Sequence, residues 1–253
     1  MLTPNRHNPT GFWEPAVAVQ INARILKASG SSFFDTAICP DTLNDSLDRS
    51  QFIDEIAEFL AISRVKDSAQ PLVVKDPRIS NLLPFWLEAI ARAELEPRVV
   101  IPVRSPAEVA VSLRKWKGVP LEHSAALWLK YNLLAERGTR HIRRKYVSYA
   151  GLLHDWRREV AAIAAALQLP LDLNDDVDKF LDSGLRHSTS HAVPGELRDI
   201  AWLGEVERVL QSACDGQGGD QSILDSAYDW ICASQASGAL PVINTFGTDF
   251  GIS

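Results

Sequence analysis

An arginine and a serine eight residues apart are the side chains of this sequence whose types and spacing most directly suggest chemistry. The β-branched run 98–104 predicts a strand buried on both faces of a parallel sheet, ending at Arg104. Ser105 as an N-cap and Glu108 three residues later predict a capping box that opens the next helix, which carries Ser112. Ligands of open α/β sheets bind beyond the carboxyl ends of the strands, so both groups could reach one phosphate. The alternative is that Arg104 only ends the strand and Ser112 faces solvent.

A lysine and an aspartate follow a second predicted strand. Lys75 and Asp76 come at the end of the apolar run in Leu72–Arg78, written LVVKDPR. A lysine there would neutralise charge on a transferring group, and Asp76 could accept a proton or hold a basic partner. The alternative is a surface cluster of charges that finishes the strand and adds little stability.

Four passages, in this order, resemble the sulfotransferases that use 3′-phosphoadenosine-5′-phosphosulfate (PAPS), which are relatives of the P-loop kinases. The likeness covers about residues 5–190, and the spacing of Arg104 and Ser112 together with the KDPR strand is its most specific part. The passages are HNPTGFWEP (7–15), VVKDPRISNLLPFW (73–86), VVIPVRSPAEVAVSL (99–113) and KYVSYAGLLHDW (145–156).

This resemblance implies a set of nucleotide-binding residues. It gives Arg104 and Ser112 to the 3′-phosphate and places the Tyr149 ring near the adenine. On a looser match, it also assigns Arg186 to the 3′-phosphate. PAPS would then be the sulfuryl donor, and the scheme requires no metal ion.

The resemblance also implies the catalytic residues. Lys75 matches the strand-end lysine near the sulfuryl group, while the base varies within the family between the positions of Asp76 and Glu14. We favour Glu14, because a carboxylate beside Lys75 and Arg78 is held in its charged form and is a better orienter than base. An in-line displacement needs positioning, cationic stabilisation and one base for an acceptor hydroxyl or amine.

One part of the family pattern is missing from the sequence: the first strand and the glycine-rich loop that cradles the 5′-phosphosulfate. We therefore expect a gap or an unpaired edge in the sheet. The favoured interpretation is that a longer chain is the active sulfotransferase. The alternative is a truncated, non-catalytic protein that binds a nucleotide or a partner. A nucleotide-dependent kinase is disfavoured, because Walker-type lysine and magnesium-ligand motifs are missing.

The elements that must position these residues follow from the hydropathy pattern. Short β-branched runs predict strands at 72–75, 98–104 and 145–149. We expect an α/β fold with a three-layer arrangement, a parallel sheet flanked by helices, similar to the P-loop sulfotransferase fold without its first strand and loop. Helices are expected at about 15–26, 47–65, 79–94, 106–116, 121–137, 150–167, 175–181, 197–213 and 222–233.

Composition limits the class of protein. The chain has 253 residues, with 26 Lys and Arg against 32 Asp and Glu, and this acidic balance disfavours nucleic-acid binding. It has no membrane-spanning apolar run, no apolar leader segment, no cysteine pattern of a disulfide scaffold and no compelling metal motif. We expect one cytoplasmic domain over residues 1–253, with a core at about 5–190 and a helical extension at about 191–245. Its partner would be a sugar, lipid or small-molecule acceptor.

Overall fold

The computed structural model describes residues 13–38, 48–64, 70–171, 173–174, 177–178, 194–240 and 243. These residues form two compact units. The first unit contains the described residues before 69, those of 72–97 and those from 231 onward, and the second contains 70–71 and the described residues of 98–230. The single domain expected over residues 1–253 remains a prediction.

The first unit is helical in its described residues. Its helices bury their apolar faces in one shared core, where Ile25, Ile56 and Phe85 have almost no solvent exposure. Burying a side chain of this size contributes about 1.5–3 kcal/mol. The elements are α1 (Ala16–Ala28), α2 (Arg49–Ser63), the 3-10 helix Pro77–Ser80 and α3 (Leu83–Arg92).

The second unit contains a two-stranded parallel sheet among its described residues. The strands pair in register, with Val103 opposite Ser148. The elements are β1 (Val99–Val103), α4 (Pro106–Lys117), α5 (Leu121–Gly138), β2 (Arg144–Ser148), α6 (Tyr149–His154), α7 (Trp156–Leu167), α8 (Gly195–Arg198) and α9 (Leu203–Cys214). A last helix, α10 (Gln221–Ala236), contributes residues to both units. The described chain is thus mixed α/β and mostly helical, and the three-layer, P-loop-like arrangement stays a prediction.

The β1 strand is buried on one face only, so the expectation of burial on both faces is wrong. Val100 is 42% exposed, and Pro102 is exposed as well. The Val99 N–H donates to the Arg143 carbonyl at 3.1 Å. Successive N–H groups of a strand point to opposite edges, so the Pro102 nitrogen lies on the edge away from β2. Its lack of an N–H therefore does not interrupt the hydrogen bonds between β1 and β2. A β-branched run indicates strand propensity and does not fix how many layers cover the strand.

The expected strand at 72–75 is wrong. In the described part of the chain this segment pairs with no other strand, and Val73 is 71% exposed. An apolar run becomes a strand only where a neighbouring backbone completes its hydrogen bonds. The helix expected at 79–94 is preceded by the 3-10 helix and begins at Leu83, with Pro84 in its first turn as predicted.

Most other helices end within about three residues of their predictions, but two expected helices are divided. The helix expected at 150–167 breaks at Asp155, whose φ is −150° and whose carboxylate accepts the Arg158 N–H at 3.0 Å as the N-cap of α7. The helix expected at 197–213 breaks before Leu203, where Trp202 has a φ of 67°. The one expected at 175–181 lies mostly outside the described residues. No described helix is both long and apolar enough to cross a membrane.

Candidate functional site

Arg104 and Tyr149 meet at the carboxyl edge of the sheet. Arg104 follows β1 directly and Tyr149 follows β2 directly, so the in-register parallel pairing brings the two strand ends side by side. The guanidinium carbon of Arg104 lies 4.5 Å from the centroid of the Tyr149 ring. This is a cation–π contact. It joins two of the residues that the resemblance assigns to the nucleotide.

Trp128 fixes the backbone from which Arg104 extends. The indole Nε1 of Trp128, a buried residue of α5, donates to the Arg104 carbonyl at 2.9 Å. The position of Trp128 on the apolar stripe of α5 is typical of a core residue, and Trp128 is indeed buried. Its hydrogen bond to the Arg104 backbone could be anticipated only in general terms, because a buried indole N–H needs an acceptor.

Glu108 forms an ion pair with Arg104 and does not complete a capping box. The Arg104 Nε donates to the Glu108 carboxylate at 3.0 Å, and Glu108 is buried. Ser105 is the N-cap of α4 but makes no side-chain cap bond. Its hydroxyl donates instead to Glu207 of α9. The predicted capping box is therefore wrong, because Glu108 pairs with Arg104 and Ser105 pairs with Glu207.

The environment of Glu207 is unfavourable for negative charge. Burial raises the pKa of Glu207, the bond from Ser105 acts in the opposite direction, and the charge of Glu108 raises the pKa further. Two carboxylates thus lie at the N-terminal end of α4, close to the arginine that sequence analysis assigned to an anion.

Ser112 lies on an exposed part of α4, four residues after Glu108. Residues four apart share one side of a helix, so Ser112 lies one turn beyond Glu108, the carboxylate that pairs with Arg104. The joint binding of one phosphate by Arg104 and Ser112 stays a prediction.

Glu14 and Lys75 form an ion pair in the first unit. The Lys75 Nζ lies 2.7 Å from Oε1 of Glu14, and the Nη1 of Arg78 lies 3.8 Å from its other oxygen. The Glu14 side chain is only 9% exposed. Trp13, just before it, has a φ of 56°, which is unusual for a bulky residue, and such strain is concentrated near functional residues.

Asp76 is held by a chain of buried hydrogen bonds. Its fully buried carboxylate accepts from the Asn22 amide, from the Arg78 backbone N–H and from the Arg78 Nη1, each at 2.9 Å. The Asn22 Oδ1 accepts from the Trp86 indole, also at 2.9 Å. With these partners, Asp76 orients Arg78. Asn22 is not among the predicted site residues, although a polar residue on the apolar face of α1 is the signal that could have identified it.

The predicted site residues fall into two groups, each within one unit. Glu14, Lys75 and Asp76 lie together in the first unit, and Arg104 contacts Tyr149 in the second. Arg186 lies outside the described residues. Within the described ranges, no group of three or more His, Cys, Asp or Glu side chains is arranged to hold a metal ion.

A cavity in the second unit contains none of these residues. Its volume is about 330 Å³, and Lys145, Arg158 and Gln211 are among the side chains that line it. Glu159 and Asp215 also line it, so the positive charge there is balanced and does not select an anion.

No protein-family model, curated protein or solved structure matches this chain.

Proposed function

We propose that this protein transfers a sulfuryl group from PAPS to a hydroxyl or amine of a sugar, lipid or small metabolite. The contact between Arg104 and Tyr149 carries the proposal. It combines a cation for a phosphate and a ring for an adenine at the carboxyl edge of parallel strands, where α/β proteins bind nucleotides.

The guanidinium of Arg104 supports this role even though it is paired. Glu108 accepts from Nε, and a guanidinium has four further N–H donors on its terminal nitrogens. A 3′-phosphate could therefore bind the terminal nitrogens while the ion pair persists. Each charge-assisted hydrogen bond of that kind contributes about 1.5–3 kcal/mol. Ser112 would add its hydroxyl from the same face of α4.

The proposed reaction is an in-line displacement at sulfur. The acceptor oxygen or nitrogen attacks the sulfur atom, the bond from sulfur to the 5′-phosphate oxygen breaks, and 3′-phosphoadenosine 5′-phosphate (PAP) leaves. Lys75 neutralises charge on the sulfuryl oxygens, and Glu14 takes the proton of the acceptor. The reason given from the sequence no longer separates the two carboxylates, because Glu14 also lies beside Lys75 and Arg78. Glu14 stays the proposed base because three donors already occupy the Asp76 carboxylate.

The proposal is tested by incubating the protein with ³⁵S-labelled PAPS and a panel of methyl glycosides and alkyl amines. We expect label to appear on an acceptor, and we expect Lys75→Ala and Glu14→Gln to abolish its transfer. Lys115→Ala, which changes an exposed lysine of α4, should leave transfer unchanged. Binding of PAP without any transfer would favour the non-catalytic alternative, and absence of both would overturn the proposal.

A further inference from the structure

Asn81 carries a buried side-chain amide at the end of the 3-10 helix. Neither its Oδ1 nor its Nδ2 has a hydrogen-bond partner in the part of the chain that the structure describes. Burying a polar group without a partner costs the free energy of removing it from water, and native proteins contain few such groups. The Asn81 amide therefore needs a partner that these residues do not supply.

The backbone places Asn81 beside the candidate catalytic residues of the first unit. Its N–H donates to the Arg78 carbonyl at 3.0 Å, and its φ of −75° and ψ of −30° continue the 3-10 turn. Side chains three residues apart are eclipsed in a 3-10 helix, so Asn81 lies on the same side of the turn as Arg78. Arg78 in turn bonds to Asp76 and lies 3.8 Å from Glu14.

Asn22, a fully buried asparagine in the same unit, provides the comparison. The Asn22 amide donates to Asp76 and accepts from Trp86, so both of its ends are paired. This unit is therefore able to satisfy a buried amide fully. The lack of partners belongs to Asn81 and is not a general property of asparagines in this core.

We propose that Asn81 binds a hydroxyl group of the acceptor substrate, an inference that rests on the proposed function. An amide offers both a donor and an acceptor, and a hydroxyl group can satisfy both. A sulfate or phosphate oxygen only accepts, and an ammonium group only donates, so either would leave one end of the amide unpaired. Among the proposed acceptors a sugar presents the most hydroxyl groups, so we assign Asn81 to a carbohydrate acceptor. Because both amide atoms are buried, binding requires the side chains that cover them to move aside.

The stability of the unliganded protein tests whether Asn81 lacks a partner in solution. Asn81→Leu keeps a similar volume and removes the unpaired amide, so its midpoint of urea denaturation should equal or exceed that of the wild type. Asn22→Leu is the matched control and should lower the midpoint, because it leaves the buried Trp86 indole without its acceptor and removes one of the three donors to Asp76. A loss for Asn81→Leu as large as that for Asn22→Leu, or failure to fold, would overturn the inference, since the amide would then have a partner such as a fixed water molecule.

Ligand titration tests the hydroxyl assignment. Methyl α-D-glucopyranoside, methyl β-D-galactopyranoside and N-acetyl-D-glucosamine should give, for at least one sugar, a saturable shift of the Asn81 side-chain ¹⁵N–¹H resonance. Tetrahydropyran, which has the ring without hydroxyls, should give none. Asn81→Leu should abolish the thermal stabilisation by that sugar. No shift with any of the three sugars, or retained stabilisation in Asn81→Leu, would overturn the assignment.

A parallel titration with PAP separates this inference from the proposed function. PAP should stabilise the wild type and Asn81→Leu equally, because its assigned contacts are Arg104 and Tyr149. Failure of PAP to bind the wild type would overturn the proposed function and leave the sugar result standing. Normal PAP binding with no effect of Asn81 on sugar binding would overturn only the inference about Asn81.

Discussion

Arg104 makes three contacts at once: with the Tyr149 ring, with the Glu108 carboxylate and, through its carbonyl, with Trp128. The sequence could predict a cation at a strand end, because a β-branched run followed by a helix start marks that position. It could not predict that Glu108 would pair with this cation, because the spacing from Ser105 fits a capping box equally well.

Removing the carboxylate at residue 108 should strengthen anion binding. Glu108→Gln keeps the size of the side chain and removes a negative charge that partly neutralises Arg104 and would repel a phosphate bound to its terminal nitrogens. We expect PAP to bind about tenfold more tightly, which corresponds to about 1.4 kcal/mol, by calorimetric titration. Glu122→Gln, at an exposed position in the first turn of α5, is the control and should have no effect. Unchanged or weaker PAP binding in Glu108→Gln would contradict the role given to Arg104.

Neutralising residue 76 should destabilise the first unit. Asp76→Asn removes the nearer of the two carboxylates beside Arg78 and replaces one accepting oxygen by an amide nitrogen, which then faces a donor of Asn22 or Arg78. We expect a loss of about 3 kcal/mol in the free energy of unfolding, measured by urea denaturation. Asp54→Asn, which removes an exposed ion pair with Arg92, should change stability little. Equal effects of the two variants would show that the buried network does not hold Asp76.

The secondary-structure elements show which physical signals the sequence carries. Helix interiors follow from apolar periodicity, so α1, α4 and α5 lie close to their predicted ranges. The break at Asp155 was missed because the apolar stripe continues on both sides of it. The strand expected at 72–75 was wrong because strand pairing depends on a distant partner, which local composition does not encode.

The break at Asp155 is a stabilising cap, and its removal should be measurable. Asp155→Ala removes the acceptor for the Arg158 N–H at the start of α7. An N-cap of this type contributes about 1 kcal/mol, and we expect that loss in urea denaturation. Asp229→Ala, at an exposed position of α10, serves as the control. If the two variants are equally stable, residues 150–167 do not depend on a cap at Asp155.

For the whole molecule, two partly buried acidic groups in the second unit predict a loss of stability at alkaline pH. Burial raises the pKa of Tyr146 from 10.0 to about 12 and that of Cys214 from 9.0 to about 11. As the pH rises above about 9, the unfolded chain releases protons that the folded chain retains. The free energy of unfolding therefore falls with rising pH.

Urea denaturation at a series of pH values between about 8 and 11 measures this fall. The double variant Tyr146→Phe with Cys214→Ala removes both ionisations and should flatten the pH dependence. A wild-type stability that is constant or rises over this range would contradict the burial of the two groups.

Contacts between residues that are distant in the chain cannot be predicted from the sequence alone. Residue types predict anion chemistry for Lys75 and Arg104, and this stays a prediction, whereas the ion pair of Lys75 with Glu14 joins residues 61 positions apart. The buried network of Asn22 and Trp86 likewise depends on how helices pack, which periodicity alone does not determine. The orphaned amide of Asn81 can be identified only once the surrounding side chains are placed.

The most direct test measures whether Arg104 binds the 3′-phosphate of a nucleotide. Calorimetric titrations would compare PAP with adenosine 5′-phosphate, which lacks only the 3′-phosphate, on the wild type and on Arg104→Ala. Arg114→Ala, an exposed arginine of α4, is the control. We predict that PAP binds the wild type at least tenfold more tightly than adenosine 5′-phosphate does, and that Arg104→Ala abolishes this difference. If Arg104→Ala leaves the preference for PAP intact, the nucleotide site is not at the carboxyl edge of β1.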